Sequence, residues 1–363
     1  MNIDKRILKM IIMVVGGFVL FFIIIALISS CNKNKKYTFE ELEQKLITLA
    51  QNYYERNEAS LPDIGKETSL TTGYFISNGY FKDITLTTGE TCTGEIIVAN
   101  NNNNYLYTPK LTCGNKKSVF FADKLIEDNN VVTTGEGLYH IGNEYIYRGE
   151  KVKNYISINE KLWRIIKINS DKTIRIIEVE RSGSSTTWDN RYNLEKKSNS
   201  GINDFITNNI NSRIKNKLED LYNNENKFGP DIKPYFVPQN LCIGKRSEND
   251  TVNDGSIECS QVLENQMFGL IQVNEYFFAS LDENCINIAS RSCTNYNYLA
   301  KLDASTWTIT ADKDSSYKAY RLDYDISLVN ASSTGGISIV AHLSKNLLFV
   351  SGTGTEEDPY IIK

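Results

Sequence analysis

The stretch TCTGEIIVANNNNNYLYTPKLTC, residues 91–113, decides how this chain is to be read. Residues 95–99 are short and β-rich, residues 105–111 alternate aromatic or aliphatic with polar side chains, and the asparagines at 100–104 supply a turn. The reading is a β-hairpin. Antiparallel pairing then sets Cys92 opposite Cys113, at the Cα separation of roughly 5.5 Å that a disulfide spans. A disulfide implies an oxidising compartment, whereas a reduced pair merely flanking the hairpin would imply nothing about it.

The other cysteines extend the pattern. Of seven in the chain, Cys242 and Cys259 bracket the polar loop GKRSENDTVNDGSIE, and Cys285 and Cys293 bracket INIASRS. Local pairing closes either loop at little entropic cost. Zinc is a poor alternative: there is no Cys-x-x-Cys knuckle, and His140 and His342, the only histidines, lie near none of these cysteines in sequence. Structural clips are the expectation, with no cofactor and no metal.

Residues 10–30, MIIMVVGGFVLFFIIIALISS, carry no charge, and about 20 apolar residues suffice to cross a bilayer as a helix. Lysines flank the segment on both sides, so charge gives little orientation. If the cysteine pairs are oxidised, residues 1–9 are cytoplasmic and everything beyond the anchor is extracellular. Cys31, the odd cysteine, follows Ile28-Ser29-Ser30 in a permissive lipobox-like context. It is either a lipidation site, with 10–30 serving as a lipoprotein signal, or a free thiol at the end of an uncleaved anchor.

Past the membrane, Thr38 and Glu41 have capping-box spacing, and Phe39, Leu42, Leu46, Leu49 and Tyr53 recur at helical steps. An amphipathic helix is predicted there, followed by strands at 73–77 and 80–86 and then the hairpin. A membrane helix leading into an amphipathic helix and a cysteine-clipped sheet resembles type IV pilins and pseudopilins, although their processing signal is absent. The match is better to a pilin-like juxtamembrane module of surface proteins of low-GC Gram-positive bacteria, carried here by Leu61-Pro62, Gly79-Tyr80, Thr91-Cys92-Thr93-Gly94 and Cys113. The resemblance implies a spacer or docking module over 37–118, with residues 38–56 available for self-association.

Residues 114–134 read as a polar join. Beyond it, EYIYRG and NYISINEKLWRIIKINSDKTIRIIEVER read as antiparallel strands, with a turn at 169–172 and Trp163, Ile165 and Ile168 directed to the core. Helices are predicted over 200–224, interrupted at Asn208-Asn209, and over 273–281; short β-rich segments follow. The class is α+β. An ordered series of pieces runs through residues 135–363: Lys161-Leu162-Trp163-Arg164-Ile165-Ile166, Gly269-Leu270-Ile271, Asn274-Glu275-Tyr276, Asn297-Tyr298-Leu299, Trp307-Thr308-Ile309-Thr310, and Ser351-Gly352-Thr353-Gly354-Thr355 with Asp358-Pro359-Tyr360. The series resembles a bacterial surface domain related to the C-type-lectin-like fold of sulfatase-modifying-factor-type domains. One departure is Ser338-Ile339-Val340-Ala341-His342, where that domain usually has Arg-Pro-Val.

Chemistry is sparse at this level. A formal charge of -4 argues against a nucleic-acid partner. GEGLYHIGNEY lacks the Lys-Ser/Thr ending of a phosphate loop. Acidic groups at Asp282-Glu283, Asp312-Asp314 and Glu356-Glu357-Asp358 lack the ligand alternation of an EF-hand and read as solvated faces. Cys285 and Cys293 lack the surroundings of a catalytic cysteine pair. Trp307 is expected in the core and Trp188, between SGSSTT and DNR, at the surface as a ligand-binding candidate. The expectation is a membrane-anchored, non-enzymatic binding or adhesion protein with a glycan or surface-protein ligand. An envelope assembly subunit and an extracytoplasmic enzyme are the alternatives.

Overall fold

The computed structural model describes residues 35–191, 200–302 and 305–363. The expected anchor at 10–30, the stretch 1–9 and Cys31 lie outside the described residues, among which no helix is long and apolar enough to cross a membrane. The chain is a mixed α+β structure that separates into two compact units. Of the described residues, those at 35–61, 67–98 and 107–118 form the first, and those at 62–66, 99–106 and from 119 onward the second.

In the first unit a helix spans Phe39–Arg56, and its capping box closes reciprocally. The Thr38 hydroxyl accepts from the Glu41 amide at 3.2 Å, and the Thr38 amide donates to the Glu41 carboxylate at 2.9 Å. Phe39, Leu42, Leu46, Leu49 and Ala50 are buried along one stripe, while Glu40, Lys45, Gln51 and Glu55 face solvent. The segment expected as a strand at 73–77 is a short helix, Thr72–Ser77. Capping chemistry overrides β-rich composition here. Thr71 accepts from the Tyr74 amide, and Gly79, at φ +73°, ends the helix with its own amide on Ile76 and that of Tyr80 on Phe75. Residues 80–86 likewise form no continuous strand and make only the isolated pairings Thr85 with Thr91 and Leu86 with Tyr37.

The hairpin is longer than expected, Cys92–Asn101 with Asn104–Cys113, and Cys92 is bonded to Cys113. Asn102 and Asn103 both adopt positive φ, 55° and 63°. That is a type I′ turn, whose twist matches the strands and which asparagine tolerates. The strands at Glu67–Thr71 and Lys116–Lys117 flank it to complete a four-stranded sheet.

The second unit is built on a ten-stranded sheet. At its centre, Lys161–Ile168 pairs antiparallel with both Tyr155–Ile158 and Ile174–Glu178. Val340–Leu343 extends the sheet on one side. On the other, Tyr360–Ile362 pairs parallel with Tyr155–Ile158, bringing the end of the chain back against an early strand. A separate three-stranded sheet joins Thr306–Ala311, Lys318–Asp323 and Asp325–Asn330. Trp163, Ile165, Ile168 and Trp307 are buried, as their positions in strands predict.

Two sequence expectations change in this unit. The polar join at 114–134 contains a helix, Phe121–Asp128, whose buried Phe121, Ala122 and Leu125 are outnumbered by polar neighbours. The helix predicted over 200–224 starts only at Arg213, capped by Ser212, and runs to Asn223. Before it, Ile206–Thr207 and Ile210–Asn211 form a miniature hairpin around Asn208 and Asn209, both left-handed at φ 50° and 62°. The helical spacing of Phe205, Ile206 and Ile210 was coincidental, and the Asn-Asn pair marked a second tight turn. The helix at 273–281 is present as Val273–Ala279.

Candidate functional site

Trp188 is not a surface residue. Its side chain is 0% exposed, stands edge-on to Phe205 at 5.9 Å, and donates its indole N–H to the Thr308 carbonyl at 3.1 Å. Ser184 and Ser185 before it are exposed, but Asp189 is buried with it and its own ring goes inward, so stacking on an external ligand is closed to it in this fold. The six cysteines expected as clips, Cys92, Cys113, Cys242, Cys259, Cys285 and Cys293, are paired with their sequence neighbours. His140 stacks on Tyr145 at 4.6 Å. His342 meets Arg175 at 3.3 Å, and burial, followed by the charges of Arg175 and Lys167, holds its pKa well below the usual histidine value.

The ordered motifs turn out to build the frame. Glu275 of Asn274-Glu275-Tyr276 forms a buried ion pair with Arg175, and the same carboxylate accepts the Gln272 amide at the helix start. Asn297 donates to the carbonyls of Tyr276 and Cys293. Arg164 lies between the rings of Tyr155 and Tyr298, 4.0 and 4.8 Å from their centroids, with its Nε on Asn154. In the last motif, the Thr353 and Gly354 amides both donate to the Asp358 carbonyl. Gly354 is obligatory because a Cβ there would lie 2.4 Å from the Tyr360 ring. The polar loop 244–258 is likewise a packed element. Arg246, fully buried with Glu258, donates to the carbonyls of Asp250 and Val252.

Besides a concavity of about 500 Å³ beside Lys245, Asp250, Ser256 and Lys313, two smaller ones with aromatic side chains in their linings lie in the second unit. One, of about 320 Å³, is walled by Ile158, Trp163, Glu178, Asn226, Lys227 and Phe228, with Asn159, Lys161, Glu180 and Arg181 also contributing. The other, of about 300 Å³, has Phe205, Leu218, Tyr222, Leu241 and Phe268 in its floor and the Lys215–Glu219 ion pair at its side. A chain of aromatic contacts separates them: Trp163 to Phe228 at 6.5 Å, Phe228 to Phe268 at 4.9 Å, and Phe268 to Tyr222 at 5.2 Å.

The first of these is the more fully prepared for a ligand. Its lip, residues 224–228, is shaped by Asn224, whose side chain accepts from the Asn226 amide and whose carbonyl accepts from the Lys227 and Phe228 amides. The Asn159 side chain ties the lip down by donating to the Lys227 carbonyl at 3.1 Å. Inside, Glu178 accepts from Lys227 at 2.7 Å and from the Ser182 hydroxyl, while Lys227 also reaches Ser182. Burial raises the pKa of Glu178, opposed by its bond to Lys227. Trp163, 1% exposed, also lines this cleft, and its indole N–H has no hydrogen-bond partner. The nitrogen itself is buried within the wall, so it offers no exposed donor to the cleft.

Sequence reasoning placed Trp163 in the core and overlooked its N–H, and it did not single out Glu178 or Lys227. A carboxylate closing the strand Ile174–Glu178, whose apolar residues Ile174, Ile176 and Ile177 mark it as a core strand, was the available signal. Among the described residues, no group of three or more His, Cys, Asp or Glu is placed to hold a metal ion. No protein-family model, curated protein or solved structure matches this chain.

Proposed function

We propose that the chain is a membrane-anchored extracellular surface protein whose second unit is a lectin-like, non-enzymatic binding module. The single observation that carries this reading is the Trp163–Glu178–Lys227–Phe228 cleft: aromatic and aliphatic side chains in its lining, an exposed Asn226 at its lip, and the Glu178–Lys227 ion pair held within it. Its size falls at the lower end of ligand pockets, ~300–1,000 Å³, and fits a compact polar ligand. The acid and the base within it neutralise one another and share one hydroxyl, an arrangement suited to holding a ligand in place. The three disulfides favour an oxidising location. The assembly-subunit reading draws on the Phe39–Arg56 helix, but its apolar stripe is already buried, which leaves a polar face for any partner.

The test is a glycan and peptidoglycan-fragment array probed with the full-length chain in detergent under oxidising conditions. Saturable binding that is lost on Asn226→Trp, which fills the cleft from its exposed lip, supports the reading. Binding that survives this change places the ligand elsewhere, and a disulfide-bonded protein that binds nothing on the array overturns it.

A further inference from the structure

The three-stranded sheet of the second unit ends on an open edge. Its last strand, Asp325–Asn330, pairs with Lys318–Asp323 in continuous register and has no partner strand on its other side among the described residues. Which groups face that side follows from the neighbouring strand. The Lys318 and Tyr320 carbonyls accept from the Asp312 amide and the Thr308 hydroxyl, so they point toward Thr306–Ala311 and the segment just after it. Alternation then turns Ala319, Arg321 and Asp323 toward the last strand, where they meet Val329, Ser327 and Asp325. The main-chain groups of Ile326, Leu328 and Asn330 are left facing outward. Two of them are satisfied locally: the Ile326 amide donates to the Asp325 carboxylate at 2.8 Å, and the Asn330 carbonyl accepts from the Ser333 amide at 2.8 Å. The Ile326 carbonyl, both groups of Leu328 and the Asn330 amide remain, and no described residue bonds to them.

A free edge is a template for another strand, and proteins blunt such edges with charge, proline, bulges or brevity. The ten-stranded sheet ends in strands of two and three residues, Phe236–Val237 and Phe349–Ser351, and the sheet of the first unit ends on one side at Lys116–Lys117. Residues 326–331, ISLVNA, carry no charge and no proline, and the strand has no bulge. Along the strand its free groups run acceptor, donor, acceptor, donor. A two-fold axis through Leu328 maps this series onto its own complement. Leu328 then exchanges both bonds with the partner's Leu328, and the Ile326 carbonyl accepts from the amide of the partner's Asn330. We infer that this edge pairs with the same edge of a second copy of the chain, antiparallel and centred on Leu328, joining two three-stranded sheets into one of six strands. An unrelated extended peptide also offers donors and acceptors, but the local capping of the Ile326 amide and the Asn330 carbonyl leaves the set that a second copy satisfies in full. The inference is independent of the cleft.

The experiment is sedimentation equilibrium of the full-length chain in density-matched detergent, with a thermal midpoint recorded for each variant. The inference requires a reversible dimer. On the two-fold axis Leu328 faces itself, so Leu328→Lys and Leu328→Glu each set like charges opposite one another, and each should weaken self-association by about tenfold. An equal mixture of the two sets opposite charges there and should recover dimers of mixed composition, read by co-purification of differently tagged chains. Asn330→Pro removes an outward amide that the chain's own sheet does not use, and it should give the same loss with the thermal midpoint unchanged. This variant carries the test if the charged ones fail to fold, since Leu328 is half-buried. A parent that is monomeric at about 100 μM overturns the inference, whatever peptide the edge is later found to take. A dimer that persists undiminished in the folded charged variants and in Asn330→Pro also overturns it, because the contact then lies elsewhere on the chain. If both charged variants are monomeric and their mixture stays monomeric, the two-fold pairing through Leu328 is wrong.

Discussion

Arg246 and Glu258 show how much of the polar loop is held by one residue. Both side chains are fully buried, so removing either leaves the other charged and unmatched. Arg246→Met should therefore cost about 3–5 kcal/mol, and the double change Arg246→Met with Glu258→Leu should recover a large part of it. Urea unfolding midpoints of the parent and the two variants check this, and a double variant as unstable as the single one would contradict it. Trp188→Ala should cost about 3–5 kcal/mol as a core deletion, while Trp188→Phe, if folded, should leave ligand binding unchanged. His342 carries a pH dependence. Its folded pKa lies well below its unfolded value of about 6.5, because burial and then the positive charges of Arg175 and Lys167 oppose protonation. The contribution is complete above the unfolded pKa. As the pH falls below it, the unfolded chain takes up a proton that the fold refuses, and stability declines. The neutral ring suits its place, since Nε2 can then accept from Arg175 while Glu275 and Gln239 hold that guanidinium from its other sides. His342→Gln should flatten this part of the stability profile between pH 7.5 and 5.5, and an unchanged slope would remove His342 as its source.

At the scale of elements, the decisive signals were short and local. The Thr38–Glu41 box was legible because it depends on two residues three apart, and Thr38→Ala should lower stability by about 1 kcal/mol, read as a shift in thermal midpoint. The asparagine run was legible as a turn for the same reason. The Thr72–Ser77 helix was missed although its cap and its terminating glycine were both visible, since the β-formers Tyr74, Phe75 and Ile76 outweighed them in the reading. The pair Asn208-Asn209 was taken as a break in a helix, when it was the same left-handed turn chemistry as Asn102-Asn103. The Cys92–Cys113 clip closes a loop of 21 residues in sequence separation, and replacing both cysteines by alanine should cost about 2–4 kcal/mol. Denaturation of the double variant beside the parent measures this directly.

At the scale of the whole molecule, the three clips make stability sensitive to reductant, and the ten-stranded sheet depends on contacts that span most of the second unit. Tyr360 pairs with Ile156, and Arg175 with Glu275, at separations no local pattern reports. The sequence by itself determined the α+β class, the cysteine pairing by proximity, the capped first helix and the inward direction of Trp163 and Trp307, because each follows from residue types a few positions apart. It also supplied the motif series, whose residues turn out to hold the frame together. Only the tertiary structure decided that Trp188 is buried and that Trp163 keeps an unmet N–H. The same holds for the meeting of Glu178, Ser182 and Lys227, drawn from different segments, at one cleft. The physical reason is that burial and hydrogen-bond satisfaction belong to the packed neighbourhood of a side chain, which forms only when distant segments meet.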